Sequence, residues 1–156
     1  IGKMHRELGR ALRPVDWSLL QTSRPWLDLP EHVLRVVHAG IDPDVAFQQQ
    51  TPETLMRIRT VISEDPTKKR GERHVLWGTR YTGPPDIVFG HNAAPGLQIH
   101  RWATGLDTGC VYGGRLTAMV LAEGQKVPRT ENARRGLLFS QPARRVWCVP
   151  AHKKVA

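Results

Sequence analysis

Two short stretches, "RVVHAG" at 35–40 and "IVFGHN" at 87–92, share one design: an apolar run stopped by a histidine among small residues. An apolar run of this length bounded by turn residues predicts a buried strand, and the abrupt stop places His38 and His91 at or just beyond strand tips. A strand fixes a side chain while the following loop leaves room for a ligand, so such tips are where scaffolds carry binding groups. Two imidazoles in matching positions form a candidate shared metal site, because neutral histidine nitrogen suits zinc, iron or manganese. Taken singly, each histidine also fits a half-buried residue bonded to a neighbouring carbonyl.

The rest of the chain supplies an alternation of helices and strands around these tips. Apolar Met4, Leu8, Ala11 and Leu12 recur at helical spacing and Pro14 stops them. Asp16 is positioned to cap a second short turn, and "PWLDLP" then reads as extended between two prolines. Thr51, Pro52 and Glu53 open a helix expected over about 52–63, followed by a polar surface loop, "SEDPTKKRGER". Strands are expected at 32–38, 86–92, 97–106 and 115–122, a basic turn-rich connection at 125–142, and a last strand in "RRVWCVP" at 144–150. One domain of α/β class follows: a helical entry at 1–30, a sheet core at 32–122 and a basic closing segment at 125–156.

Twenty-three Lys and Arg against 14 Asp and Glu give 156 residues a formal charge of +9, favouring polyanionic partners such as nucleotides, polyphosphate or RNA. Two cysteines are too few for a disulfide framework or a four-thiolate zinc site, which points to a reducing compartment. No apolar run approaches the roughly 20 residues of a membrane helix, so the expected setting is soluble, cytoplasmic first and organellar second, with no membrane partner. GxSxG, P-loop and HExxH motifs are absent, which removes the chemistries read from them. His5, His32, His74, His100 and His152 lack the strand-tip setting and read as surface or structural residues.

Three spaced motifs, "VVHAGIDP", "GPPDIVFGHNAAPGLQ" and "ATGLDTGCVYGGRLTAMVL", occur in an order that closely resembles the calcineurin-like metallophosphoesterases, in the branch around symmetrical diadenosine tetraphosphatase. The stretch ahead of the first motif, "RELGRALRPVDWSLLQTSRPWLDLPEH", resembles the family's helical entry. The resemblance implies the C-terminal half of a four-layer α-β-β-α sandwich with mixed sheets. It implies two divalent metal ions (Mn, Co, Fe or Zn) in the complete domain, activating water for attack on a phosphoanhydride or phosphoester. Dinucleoside polyphosphates are the first expected substrates. His38 and His91 match the family's ligand histidines.

Around those ligands, Asn92 and Asp107 are expected as hydrogen-bonding partners, with Asn92 standing where relatives often carry Asp or Thr. Tyr112 and Arg115 are expected at the substrate, the tyrosine by stacking and the arginine by paired donors. Core packing for Tyr112 and a solvated strand position for Arg115 fit the residues equally well. Asp86 is expected to cap or bond backbone and Cys110 to pack, while Gly109, Gly113 and Gly114 let the chain turn beside the His91 strand. The family's upstream GDxHG, GDxxDRG and GNH[DE] motifs do not occur in these residues, so the chain alone is expected to be inactive. Either it is part of an active phosphohydrolase, or it is a non-catalytic module in a basic assembly with RNA or protein partners.

Overall fold

The computed structural model describes residues 3–67, 69 and 72–143, so the strand expected in 144–150, with Trp147 and Cys148, lies outside the described residues. Helices α1 (Lys3–Ala11) and α2 (Pro14–Thr22) lead to strands β1 (Trp26–Leu29) and β2 (Leu34–Val37). Helix α3 (Pro52–Arg57) precedes the hairpin β3 (Thr60–Ile62) and β4 (His74–Leu76). Then come β5 (Asp86–Phe89), β6 (Gln98–Ile99), β7 (Ala103–Gly105), β8 (Asp107–Thr108) and β9 (Arg115–Met119), closed by α4 (Glu131–Arg135) and β10 (Leu138–Pro142).

The mixed sheet that carries both histidine tips has the order β1-β2-β5-β7-β6. Strands β2, β5 and β7 are parallel, with Leu34 opposite Asp86 and Val36 opposite Val88, while β1 and β6 run antiparallel at the edges. Parallel neighbours about 4.8 Å apart end on the same side of a sheet. Register therefore brings the residues just past Val37 and Phe89 together. A separate antiparallel sheet, β10-β9-β8, pairs Phe139 with Ala118 and Asp107 with Leu116.

Period-two alternation divides the mixed sheet into two faces. Val37, Ile87, Phe89 and Ala103 pack with Ile41, Leu55, Val61 and Trp77 into the main core. On the other face Leu34, Val36 and Val88 line a cavity of about 240 Å³ with Met119 and Leu121, which look across from β9 and the residues after it. Asp86 and Thr104, also on that face, meet the fully buried Arg134 of α4. The Arg134 guanidinium donates to the Pro128 carbonyl (3.0 and 2.8 Å), the Arg101 carbonyl (2.9 Å) and Thr104 Oγ1 (3.1 Å), and lies 3.7 Å from the Asp86 carboxylate. Asp86 thus bonds to arginine side chains, with Arg129 at 2.7 Å, rather than capping backbone.

Four local expectations change. The helix over 52–63 ends at Arg57, because Ile58 leaves helical geometry (ψ 138°) and Val61 and Ile62 pair into the β3–β4 hairpin. β-branched side chains lose rotamer freedom in a helix and fit a pleated surface. Asp16 does not precede its helix; it sits inside the first turn of α2 and reaches back to accept from the Arg13 backbone N–H at 2.9 Å. The 97–106 strand is two short antiparallel strands, β6 and β7. The turn-rich 125–142 connection contains α4 and β10.

Strand β9 turns part of its apolar face to solvent. Leu116 and Val120 point outward and are exposed, with Phe139 beside them on β10, whereas Thr117 is buried toward the mixed sheet. Among the described residues no helix is long and apolar enough to cross a membrane.

Candidate functional site

His38 follows β2 by one residue and His91 follows β5 by two. The His38 carbonyl accepts the Gly90 N–H at 2.8 Å, a backbone bond that continues the β2–β5 pairing beyond the strands. His91 then takes a left-handed conformation (φ 66°), uncommon for a residue with a side chain, which turns its ring back toward β2. The result is close approach: His38 Nε2 lies 3.2 Å from His91 Nδ1, with ring centroids 5.0 Å apart. One imidazole N–H donates to the other ring's nitrogen.

The loop after His38 is bolted from two further directions. Ala39, fully buried, donates its N–H to the Leu55 carbonyl of α3 at 2.8 Å, and its own carbonyl accepts from Trp77 Nε1 at 3.1 Å. Gly40 lies against the same indole so closely that a Cβ there would sit 2.2 Å from Trp77 Nε1.

His91 opens onto a cleft of about 640 Å³ whose walls include Arg59, Asn92, Asp107, Val111 and Tyr112. Burial, followed by the positive charges of Arg59 and His38, holds the His91 imidazole below its ordinary pKa, against a smaller opposing pull from Asp107. A neutral imidazole is the form that ligates metal. Asp107 accepts the Gly109 N–H at 3.1 Å, which anchors the turn that follows. Gly109 and Gly113 bracket that turn with φ of 72° and 84°, conformations that glycine adopts without strain. Tyr112 stands on it, 69% exposed, at the cleft wall.

Of the six residues singled out in the sequence, His38 and His91 meet, and His91, Asn92, Asp107 and Tyr112 share the cleft. Arg115 does not join them. Its guanidinium donates to Ser140 Oγ and the Ser140 carbonyl, both at 2.7 Å, and it faces a different hollow with Thr108, Thr117 and Arg135. Strand pairing with β10 explains this, since Arg115 stands near Ser140 in the β9–β10 ladder. Asn92 is buried, and its backbone carbonyl accepts from Gln98 Nε2 at 3.4 Å. Cys110, half-buried, opens the turn that carries Tyr112.

Arg59 and Trp77 were not found as site residues in the sequence. Arg59 falls where a continuous helix was expected, and the hairpin that presents it depends on distant pairing with 74–76. The run of β-branched residues after Ile58 was the available signal.

A four-coordinate ion with nitrogen ligands at about 2.0–2.1 Å holds neighbouring nitrogens roughly 3.3 Å apart, so the His38–His91 separation suits two ligands of one ion. The donor set fits as part of a site. Among the described residues no group of three or more His, Cys, Asp or Glu gathers to complete one.

No protein-family model matches the chain. It is 34% identical over 98 residues to the asymmetrical bis(5'-nucleosyl)-tetraphosphatase PrpE of Halalkalibacterium halodurans, covering 60% of this chain and 38% of that protein. The PrpE of Bacillus thuringiensis is 32% identical over 111 residues, 70% of this chain and 45% of that one. The symmetrical bis(5'-nucleosyl)-tetraphosphatase of Ralstonia nicotianae is 40% identical over 72 residues, 44% and 24%. A crystal structure assigned as a diadenosine tetraphosphatase superposes with a TM-score of 0.71 at 28% identity, covering 89% of this chain and 60% of that one.

The mixed α/β architecture matches that of a metallophosphoesterase-like fold. The chain is similar to the diadenosine tetraphosphatases, with symmetrical and asymmetrical enzymes both among its relatives. It spans less than half the length of these curated relatives.

Proposed function

We propose that this chain contributes the His38/His91 side of a metal-dependent phosphohydrolase site that cleaves dinucleoside polyphosphates at a phosphoanhydride bond. The observation that carries the reading is the convergence of His38 Nε2 and His91 Nδ1 to 3.2 Å at the mouth of a cleft. The tetraphosphatase names of the relatives support the substrate class.

His38 and His91 would hold a divalent ion through those nitrogens. Such an ion, when bound, supplies charge stabilisation at a phosphoryl oxygen and makes water a better nucleophile. Arg59 offers the phosphate chain a guanidinium at the cleft wall, where paired donors match phosphate oxygens. Asp107 fixes the Gly109 turn, and that turn presents Tyr112 as a stacking surface for a nucleobase. Asn92 fixes the backbone immediately after His91 by donating its N–H to the Gly90 carbonyl at 2.7 Å. Arg115 has no part in this reading. A soluble, cytoplasmic enzyme belongs to the same proposal.

The test is hydrolysis of diadenosine tetraphosphate by the complete protein that contains this chain, with Mn²⁺ or Co²⁺ added. Turnover that disappears in His38→Ala is expected; a wild-type protein that binds metal yet leaves the substrate intact rejects the reading. The alternative expectation, a structural module in an RNA-containing assembly, draws no support from these relatives, whose names describe enzymes.

A further inference from the structure

We infer that Trp77 is a positioning residue that sets the spacing between His38 and Arg59. This rests on the proposal that His38 binds metal, and it concerns how the protein holds that imidazole before any ion arrives.

Trp77 begins the turn after β4, is 1% exposed, and bonds both the loop after His38 and the Arg59 segment through different groups. Its indole Nε1–H donates to the Ala39 carbonyl at 3.1 Å, next to His38. Its backbone N–H donates to the Arg59 carbonyl at 3.4 Å, a long bond on the opposite segment. The ring is itself immobilised, 4.7 Å from the Phe89 ring centroid and 6.1 Å from that of Tyr81. Gly40 presses on the indole where a Cβ would overlap it, so the loop has no room to shift toward the core.

His38 lies one residue beyond the end of β2, tied to the β5 side by the Gly90 N–H bond to its carbonyl. The orientation of the 38–40 backbone then depends on three bonds: Gly90 to His38, Ala39 to Leu55, and Trp77 to Ala39. The second ties the loop to α3, just ahead of Arg59, and the third ties it to Trp77, whose backbone N–H bonds Arg59 itself. Groups that orient metal ligands are worth about 10- to 100-fold in metal affinity.

Two replacements of Trp77 in the full chain test this: Trp77→Phe, and Trp77→β-(3-benzothienyl)alanine, which keeps the bicyclic shape and replaces the donor N–H with sulfur. Amide exchange in the metal-free protein gives the first readout. Gly90 and Ala39 amides are expected to exchange about tenfold faster in both variants, with the His38 ring resonances shifted, as a buried carbonyl loses its donor. Amides of Thr117 and Ser140 in the other sheet should be unchanged, which separates a local effect from general destabilisation. Unchanged Gly90 exchange and His38 resonances in the isosteric variant overturn the inference, whether or not Trp77→Phe folds.

Co²⁺ titration gives the second readout, with affinity expected to fall about tenfold or more. If His38→Ala leaves Co²⁺ affinity intact, the metal reading fails, while the exchange data still decide whether Trp77 holds the loop.

Discussion

His38 Nε2 and His91 Nδ1 lie 3.2 Å apart across 53 residues of sequence. No local element connects them; parallel pairing of β2 with β5 and the left-handed turn at His91 bring them together. Because His38 is exposed and His91 half-buried, neither ring is a core element. His38→Ala and His91→Asn, the latter tolerant of positive φ, are expected to shift the melting temperature by only a few degrees. Co²⁺ or Mn²⁺ affinity by calorimetry should fall at least tenfold in each. Equal affinity in the wild type and both variants would remove these residues from the metal site.

Arg59→Ala addresses the other wall of the cleft. Loss of a phosphate-facing guanidinium is expected to raise KM for diadenosine tetraphosphate in the complete protein about tenfold or more, with Co²⁺ affinity within about twofold of wild type. A KM unchanged beside a normal metal affinity would leave Arg59 as a surface residue.

Arg134→Met leaves the Asp86 carboxylate buried with only Arg129 beside it, and strips donors from the Pro128, Arg101 and Thr104 oxygens. Breaking a buried charge pair on one side costs about 3–5 kcal/mol. Urea unfolding should show a loss of that order. A loss under about 1 kcal/mol would mean that water replaces the guanidinium freely.

The stability of this region should also depend on pH. His100 Nε2 is within 3.2 Å of Gln98 Oε1, and burial, with a smaller contribution from Arg134, keeps its imidazole below the ordinary pKa. The unfolded chain therefore binds the proton first. Stability from this residue is complete above the unfolded value near 6.5 and is lost as pH falls through it toward the folded value. His100→Gln should lose less stability than wild type between about pH 7.5 and 5.5, measured by urea midpoints; identical declines would assign the effect to other groups.

Much of the site was readable because a buried strand followed by small residues is a local pattern. "RVVHAG" and "IVFGHN" needed nothing distant to place both histidines at tips. Arg59 was hidden because residues 55, 58, 61 and 62 have helical spacing, and only the partner strand at 74–76 turns the segment into a hairpin. Arg115 was misleading for a related reason. Sequence alternation separates the two faces of β9, but which face meets the mixed sheet depends on the chain's return through β10. Trp77 could be read as a core residue, yet its bond to Ala39, 38 positions away, has no sequence signature.

The outward side of β9 and β10 also has a colloidal consequence. Leu116, Val120 and Phe139 are 65%, 54% and 60% exposed on a chain whose formal charge is +9. At low ionic strength like charge keeps copies of this chain apart. The Debye length shrinks to about 3 Å at 1 M salt, and short-range apolar attraction then governs encounters. Concentrated solutions of this chain should grow turbid as salt is added, and Phe139→Lys should move that threshold upward.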